Sequence, residues 1–370
     1  MNFEFSDEQN LLREQASGFL ADHCPLTKVR EILDSDEPYN KELFKKIAEL
    51  GWTATTIPEE YGGIGLGHLE LCVIAEELGR SLAPTPFASS VYLATEALLC
   101  FGSEEQKSKY LPALATGESI GTLAISEGAG AATIRNLKTS FDGSSITGTK
   151  MPVPDGDVAD FAIVLTKQGE TASLVIANLD KVSRNPVRTV DPTRSQAILE
   201  FDQAPADLLG QSGEAWTMIE KIFDRAAVLF AFEQVGGAHA ALNMAREYAM
   251  ERYAFGRSIA SFQAIKHKLA DMYIAATLAR SNAYYGAWAL ATDSAELPTA
   301  AASARVSATQ AYHECSKENI QTHGGMGFTW EFDCHMHYRR SKALSVNLGG
   351  LPRWKDRLIT TLEESNLAAN

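Results

Sequence analysis

The spacing of hydrophobic positions changes twice along the chain. Up to about residue 118 apolar residues recur at helical spacing, as in "LELCVIAEELGRSL" (69–82), which predicts a mostly buried helix. "SDEQ" at 6–9 and "SEEQ" at 103–106 each set a serine three residues before a glutamine, the pattern of a capping box at a helix start. "PEEYGGIGLG" (58–67) is a glycine-rich connection. From 119 to about 205 the pattern becomes short β-rich runs, "SSITGTKMPV", "FAIVLTK", "SLVIANL" and "QAILEFD", separated by turn residues. Four such runs in so short a stretch predict a small antiparallel sandwich or barrel. Helical spacing returns at Glu214, with long segments over about 214–251, 262–292 and 296–322 and another over about 331–346. Long helices on short loops predict a bundle. The expected fold class is α+β, with a helical domain at 1–118, a central antiparallel β domain at 119–210 and a helical bundle at 211–370.

Composition narrows the function. The chain has 370 residues, 45% of them apolar and 22% charged, which is ordinary globular composition. A formal net charge of −14 disfavours a nucleic-acid or anionic-membrane surface. The five cysteines, Cys24, Cys72, Cys100, Cys315 and Cys334, are scattered and form no CxxC pair, which suits a reducing compartment. The N-terminus lacks the basic start and apolar stretch of a signal peptide, and no apolar run reaches membrane-spanning length. A cytoplasmic protein is expected.

Five stretches carry candidate chemistry. In "AFEQVGGA" (231–238) a single carboxylate, Glu233, interrupts an apolar run. A buried carboxylate is costly unless it is paired, exposed or neutral, so Glu233 is either a solvated or salt-bridged helix residue or a group with chemical work. "ERYAFGRSIASFQAIKHKLADM" (251–272) sets Arg252, a tight turn at Phe255 and Gln263 between two long helices. Arg252 offers a planar fork of donors to a phosphate or carboxylate, or is simply solvated. In "IQTHGGMGFTWE" (320–331) Gly324, Gly325 and Gly327 permit close backbone approach to a ligand, or merely end a helix. "CHMH" (334–337) has no second ligand pair at metal-binding spacing, and its histidines are expected on the surface beside the arginines of "YRR". In "AISEGAG" (124–130) Ser126 is a candidate hydrogen-bond donor in a loop.

Taken in order, "PEEYGGIGLG", "AEELGR", "GSEEQKSKYLPALATGE", "ERYAFGRSIASFQAIKHKLADM" and "QTHGGMGFTWE" resemble signatures of the acyl-CoA dehydrogenase family, and the "EQVGGA" arrangement at 233–238 resembles a bacterial branch of it that includes subunits acting on bulky, often steroid-derived, CoA thioesters. The resemblance covers essentially the whole chain. It implies an N-terminal helical domain, a central β domain and a C-terminal four-helix bundle, with FAD extended between β domain, bundle and a neighbouring subunit. It places Arg252, Phe255 and Gln263 at the adenosine–pyrophosphate end of a partner's FAD, and Gln321, Gly324 and Gly325 in a second FAD segment. Ser126 matches a flavin-contacting hydroxyl, and Asp224 and Arg225 match the CoA-contacting region. The chain departs from the pattern in three places. "SEGAGAATIR" lacks the proline and the Ser-Asp ending, Pro154 stands where a threonine covers the flavin, and the commonest position of the catalytic glutamate falls near Leu348. The alternative position of the base, on the first bundle helix, falls near Ala226; Glu233 lies two turns further along the same face.

The implied reaction is FAD-dependent α,β-dehydrogenation of a bulky, branched or steroid-derived acyl-CoA to the trans-2-enoyl-CoA. Glu233 would be the base and an electron-transfer flavoprotein the acceptor, in a homo- or hetero-oligomer. Two alternatives stand beside it: a non-catalytic partner subunit of a heteromeric dehydrogenase, and a flavin oxidase or monooxygenase on the same fold.

Overall fold

The computed structural model describes residues 5–368. Its helices are α1 (Asp7–His23), α2 (Leu26–Leu33), α3 (Lys41–Glu49), α4 (His68–Arg80), α5 (Glu96–Phe101), α6 (Glu104–Ala115), α7 (Ala215–Glu251), α8 (Gln263–Ala291), α9 (Leu297–His323), α10 (Cys334–Val346) and α11 (Leu351–Ala368). The strands are β1 (Gly121–Ala124), β2 (Ser140–Phe141), β3 (Ser145–Pro154), β4 (Phe161–Gln168), β5 (Thr171–Asn178), β6 (Ser183–Pro186), β7 (Gln196–Leu209), β8 (Tyr253–Ala254) and β9 (Arg257–Ser258). The α–β–α order is the expected one. Both capping boxes form: the Ser6 and Ser103 hydroxyls accept from the amides of Gln9 and Gln106, whose side chains accept in return from the serine amides.

Two compact units are assembled from interleaved segments of the chain. Among the described residues, one contains those up to Arg30, His68–Ala83 and those from Ala227 onward. Its long helices α8 and α9 pack on each other, and α10 and α11 lie against α9. Helix α4 crosses α7 at a point where no side chain intervenes. A Cβ on Gly79 would lie 1.9 Å from the carbonyl oxygen of Glu233, and one on Gly236 would lie 1.8 Å from that of Glu76. Glycine at both positions is what lets the two backbones touch.

The other unit, Glu31–Gly67 with Pro84–Ala226, holds the sheet. Following pairings, β4 joins β5, β5 joins β7, β7 joins β3, β3 joins β2 and β2 meets β4 again, so the path closes into a small barrel. β6 pairs with β7 at the side. The sheet is not wholly antiparallel as expected: β1 runs parallel to β4, and so does the single β2–β4 register pair Ser140–Lys167. β1 and β4 are separated by β2 and β3, a connection long enough to return the chain in the same direction, which a hairpin cannot do.

Several elements escaped the sequence pattern, among them the short strands β2, β6, β8 and β9 and two helices. Ala88–Thr95 forms a π-helix whose residues are all buried, so it has no polar face to create a period. Helix α11 lies beyond the last helix read from the pattern.

Candidate functional site

Glu233 sits mid-way along α7 with no solvent exposure. Its neighbour across the interior is Arg340 of α10, whose Nη1 lies 3.5 Å from Glu233 Oε1, with both side chains almost fully buried. Arg340 also donates from Nη2 to the carbonyl oxygen of Leu82 (3.2 Å). The next residue, Gln234, accepts from Arg305 Nη1 of α9 at 2.6 Å and donates to the Thr309 hydroxyl at 3.2 Å. Arg305 in turn donates to the carbonyl oxygens of Leu344, in the last turn of α10, and of Asn347, the residue just after the helix. That arrangement caps the C-terminal end of α10 with a cation. Burial holds the Arg305 guanidinium down at about 10, while the charge of Glu233 acts in the other direction. The turn held this way contains Leu348 at φ 59°, a left-handed conformation that is uncommon for leucine. It is the position where the resemblance places the commonest catalytic glutamate.

Glu233 is thus the carboxylate of a buried polar cluster spanning α7, α9 and α10. His337, one turn before Arg340, shares a hydrogen bond between its Nδ1 and the Tyr312 hydroxyl at 3.2 Å. Burial, and secondarily the Arg340 charge, pushes its imidazole down to about 3. His337 and Arg340 were expected at the surface, and both are buried at 1% exposure. His337 faces α9 through Tyr312 and Arg340 faces α7 through Glu233, so a polar-looking sequence stretch delivers its polar groups inward. Cys334 and His337 point to different partners, Gly327 and Tyr312. Among the described residues no group of three or more metal-ligating side chains converges.

The candidates for the two FAD segments lie on exposed backbone features. Arg252 precedes the β8–β9 hairpin, where Tyr253 pairs with Ser258 and Ala254 with Arg257. Phe255, at φ 53° and 96% exposed, forms the tip, and Gln263 begins α8 on the far side. Gln321 closes α9, and its carbonyl oxygen accepts from the amide of Gly324. A Cβ built on Gly324 or Gly325 would meet nothing within 4 Å, whereas one on Gly327 would strike the Ile320 carbonyl at 2.4 Å. The first two glycines therefore leave backbone open to a ligand, and the third serves packing.

In the barrel unit, Ser126 follows β1, and its carbonyl accepts from the Met151 amide (2.8 Å). Pro154, with neither a side-chain donor nor an N–H, accepts at its carbonyl from the Thr122 hydroxyl (2.5 Å). Asp224 and Arg225 are both buried, and Arg225 Nε donates to Glu96 Oε2 at 2.6 Å. That engagement reduces what Arg225 can offer a ligand.

Sequence reasoning missed Arg305, Arg340, Lys150 and Glu127 as members of buried polar sites. For Arg305 the available signal was its place in the alanine-rich stretch "AAASARVSATQAY", where a cation has little reason to be unless it reaches a partner.

The N-terminal-domain model of the acyl-CoA dehydrogenases matches residues 6–118, and the C-terminal-domain model matches residues 213–350. Acyl-CoA dehydrogenase IpdE2 of Mycobacterium tuberculosis is 34% identical over 90% of this chain and 91% of its own length. Among solved structures, the ChsE4–ChsE5 complex from Mycobacterium tuberculosis superposes with a TM-score of 0.89 at 27% identity, covering 98% of this chain and 99% of the matched one. The Tcur3481–Tcur3483 steroid ACAD, solved as a variant, gives a TM-score of 0.87 at 28% identity, again over 98% and 99% of the two chains.

Proposed function

The chain belongs to the acyl-CoA dehydrogenase family, oxidoreductases acting on acyl-CoA, and from that premise we propose that it carries out FAD-dependent α,β-dehydrogenation of a bulky, branched or steroid-derived acyl-CoA thioester. The product is the trans-2-enoyl-CoA, and the electrons pass to an electron-transfer flavoprotein. The observation that carries the reading is the open backbone at Gly324 and Gly325 in a chain whose Arg252, among the described residues, makes no side-chain hydrogen bond or ion pair. These groups fit FAD: the arginine fork answers a pyrophosphate, and glycine N–H groups accept close approach. Arg252, Phe255 and Gln263 hold the adenosine–pyrophosphate end of a partner's cofactor, and Gln321, Gly324 and Gly325 hold a second stretch. When bound, FAD supplies the two-electron acceptor that takes the β-hydrogen as hydride. On this chain Ser126 donates a hydrogen bond at the flavin, and Asp224 and Arg225 border the CoA.

Glu233 is the proposed α-proton base. The Arg340 guanidinium facing it favours a second reading, in which the pair is structural and a homologous partner subunit supplies the base. Complexes of two different chains among the solved relatives support that reading as well. Purification alone and together with a homologous subunit, followed by anaerobic titration with acyl-CoA thioesters, tests both. Bleaching of the visible flavin band by steroid-type thioesters is expected. Faster turnover of butyryl-CoA than of any cyclic or steroid-type thioester would overturn the substrate class. If Glu233 is the base, Glu233→Gln slows flavin reduction by at least roughly a hundredfold with flavin content retained. A rate within a few-fold of the parent makes Glu233 structural and the base another group, for which the homologous partner subunit is the first place to look.

A further inference from the structure

The barrel unit buries a lysine that the reaction above does not use. Lys150, on β3, has no exposed side-chain surface, and its Nζ donates to Glu127 Oε1 at 2.7 Å and to the Ile125 carbonyl at 3.3 Å. Burial pushes its ammonium down to about 8 against the favourable charge of Glu127. Glu127 is engaged further: Oε1 accepts from the Thr139 amide (3.0 Å) and Oε2 from the Lys138 amide (2.7 Å). One carboxylate thus gathers the loop after β1, the approach to β2 and the middle of β3.

The backbone of that loop is fastened at the same place. The Met151 amide donates to Ser126 O (2.8 Å), and the Gly128 amide donates to Met151 O (2.9 Å). Next to Met151 the β3–β7 register shifts between Lys150 and Val153, the kind of bulge that re-aims side chains. Ser126 is therefore pinned through its own carbonyl, through the Ile125 carbonyl before it and through the Glu127 side chain after it. Its hydroxyl, half-buried, makes no hydrogen bond among the described residues, whereas the carbonyls of Ile125 and Ser126 and the Glu127 carboxylate are all engaged.

Burying an ammonium to fix so short a loop is expensive, and an apolar side chain of similar length would fill the space without that cost. We propose that Lys150 and Glu127 are positioning residues whose clip presents the Ser126 hydroxyl to the flavin ring; this rests on the reading of Ser126 as a flavin contact given above. The clip turns Lys150 and Glu127 inward and leaves the serine hydroxyl as the outward donor.

The test compares the flavin-loaded parent with Ser126→Ala, Lys150→Met, Lys150→Arg, Glu127→Gln and the Ser126→Ala/Lys150→Met double variant. Flavin content, visible absorbance fine structure, reduction potential and the rate of flavin reduction are measured. Lys150→Met is expected to shift the potential and the absorbance in the same direction as Ser126→Ala. It should slow flavin reduction by a few-fold to about tenfold, the worth of one hydrogen bond. The double variant should add little to either single change, because both remove the same interaction. Lys150→Arg, which keeps the cation, should restore most of the parent's signature. A Lys150→Met protein that is less stable but has the parent's potential and spectrum overturns the proposal, as does additivity in the double variant. If Lys150→Met does not fold, Glu127→Gln and Lys150→Arg decide on the same readouts. A parent without flavin, alone and coexpressed with a homologous subunit, instead overturns the cofactor reading on which the proposal rests.

Discussion

Glu233 and Arg340 form a buried pair, and the two residues are unequal to truncation. Removing the arginine leaves a carboxylate in the interior of α7 without its facing charge, so Arg340→Met should lower unfolding stability by about 3–5 kcal/mol in urea titration. Replacing both, with Glu233→Gln added, should recover part of that loss; a double variant as unstable as the sum of the singles would show that the pair is not coupled. His337, one turn away, gives a pH signature. Its folded value near 3 lies below its unfolded value of 6.5, so below about pH 6.5 the unfolded state takes up a proton that the folded state refuses. Stability from this group is complete above pH 6.5 and is lost as pH falls toward 3. His337→Gln should therefore show a smaller drop in urea midpoint between pH 7 and about pH 4.5 than the parent; equal drops would place the acid sensitivity elsewhere.

At the scale of elements, the crossing of α4 on α7 depends on absent side chains. Gly236→Ala would put a methyl 1.8 Å from the Glu76 carbonyl oxygen, and neither backbone can yield without parting the helices. The expected cost is at least about 3 kcal/mol, at the upper end of overpacking penalties, seen as a lowered urea midpoint or insoluble protein. Gly18 in α1 is the control, since a Cβ there meets nothing within 4 Å. Gly18→Ala should raise stability by about 0.5–1 kcal/mol through helix propensity alone. If the two substitutions behave alike, close approach is not what selects glycine at 236. Both lie within helical sequence, and only the neighbouring helix separates them.

At the scale of the molecule, the helical unit leaves apolar side chains on its surface that a solitary subunit has no use for. On α8 Ile274 and Leu278 sit one turn apart, 54% and 60% exposed, with Tyr273 beside them at 59%. Exposed apolar groups in such a cluster mark association surfaces, and the solved relatives include complexes of two named chains. The protein should sediment as an oligomer, and Leu278→Lys should weaken association at least roughly tenfold, with flavin retention falling alongside. Unchanged sedimentation across the same concentrations would remove this face from the interface. No helix among the described residues is long and apolar enough to cross a membrane, so these side chains belong to no membrane-spanning segment of the helical kind.

The sequence by itself determined whatever is encoded over a few residues. The capping boxes at Ser6 and Ser103, the short apolar runs of β4 and β5 and the long period of α7, α8 and α9 are local, because each rests on contacts within one or two turns or one strand pair. The glycine turn at 324–325 and the exposed hairpin at Phe255 were legible for the same reason: a glycine pair and a tight turn announce their backbone freedom in place. Tertiary structure alone decided the partners. Nothing near Glu233 in the chain names Arg340, nothing near Ser126 names Lys150, and "CHMHYRR" has the composition of a surface helix until α9 covers one side of it. Charge pairing between distant segments depends on which helix faces bury together, and the energy of a buried carboxylate depends on what the fold brings to it rather than on its flanks.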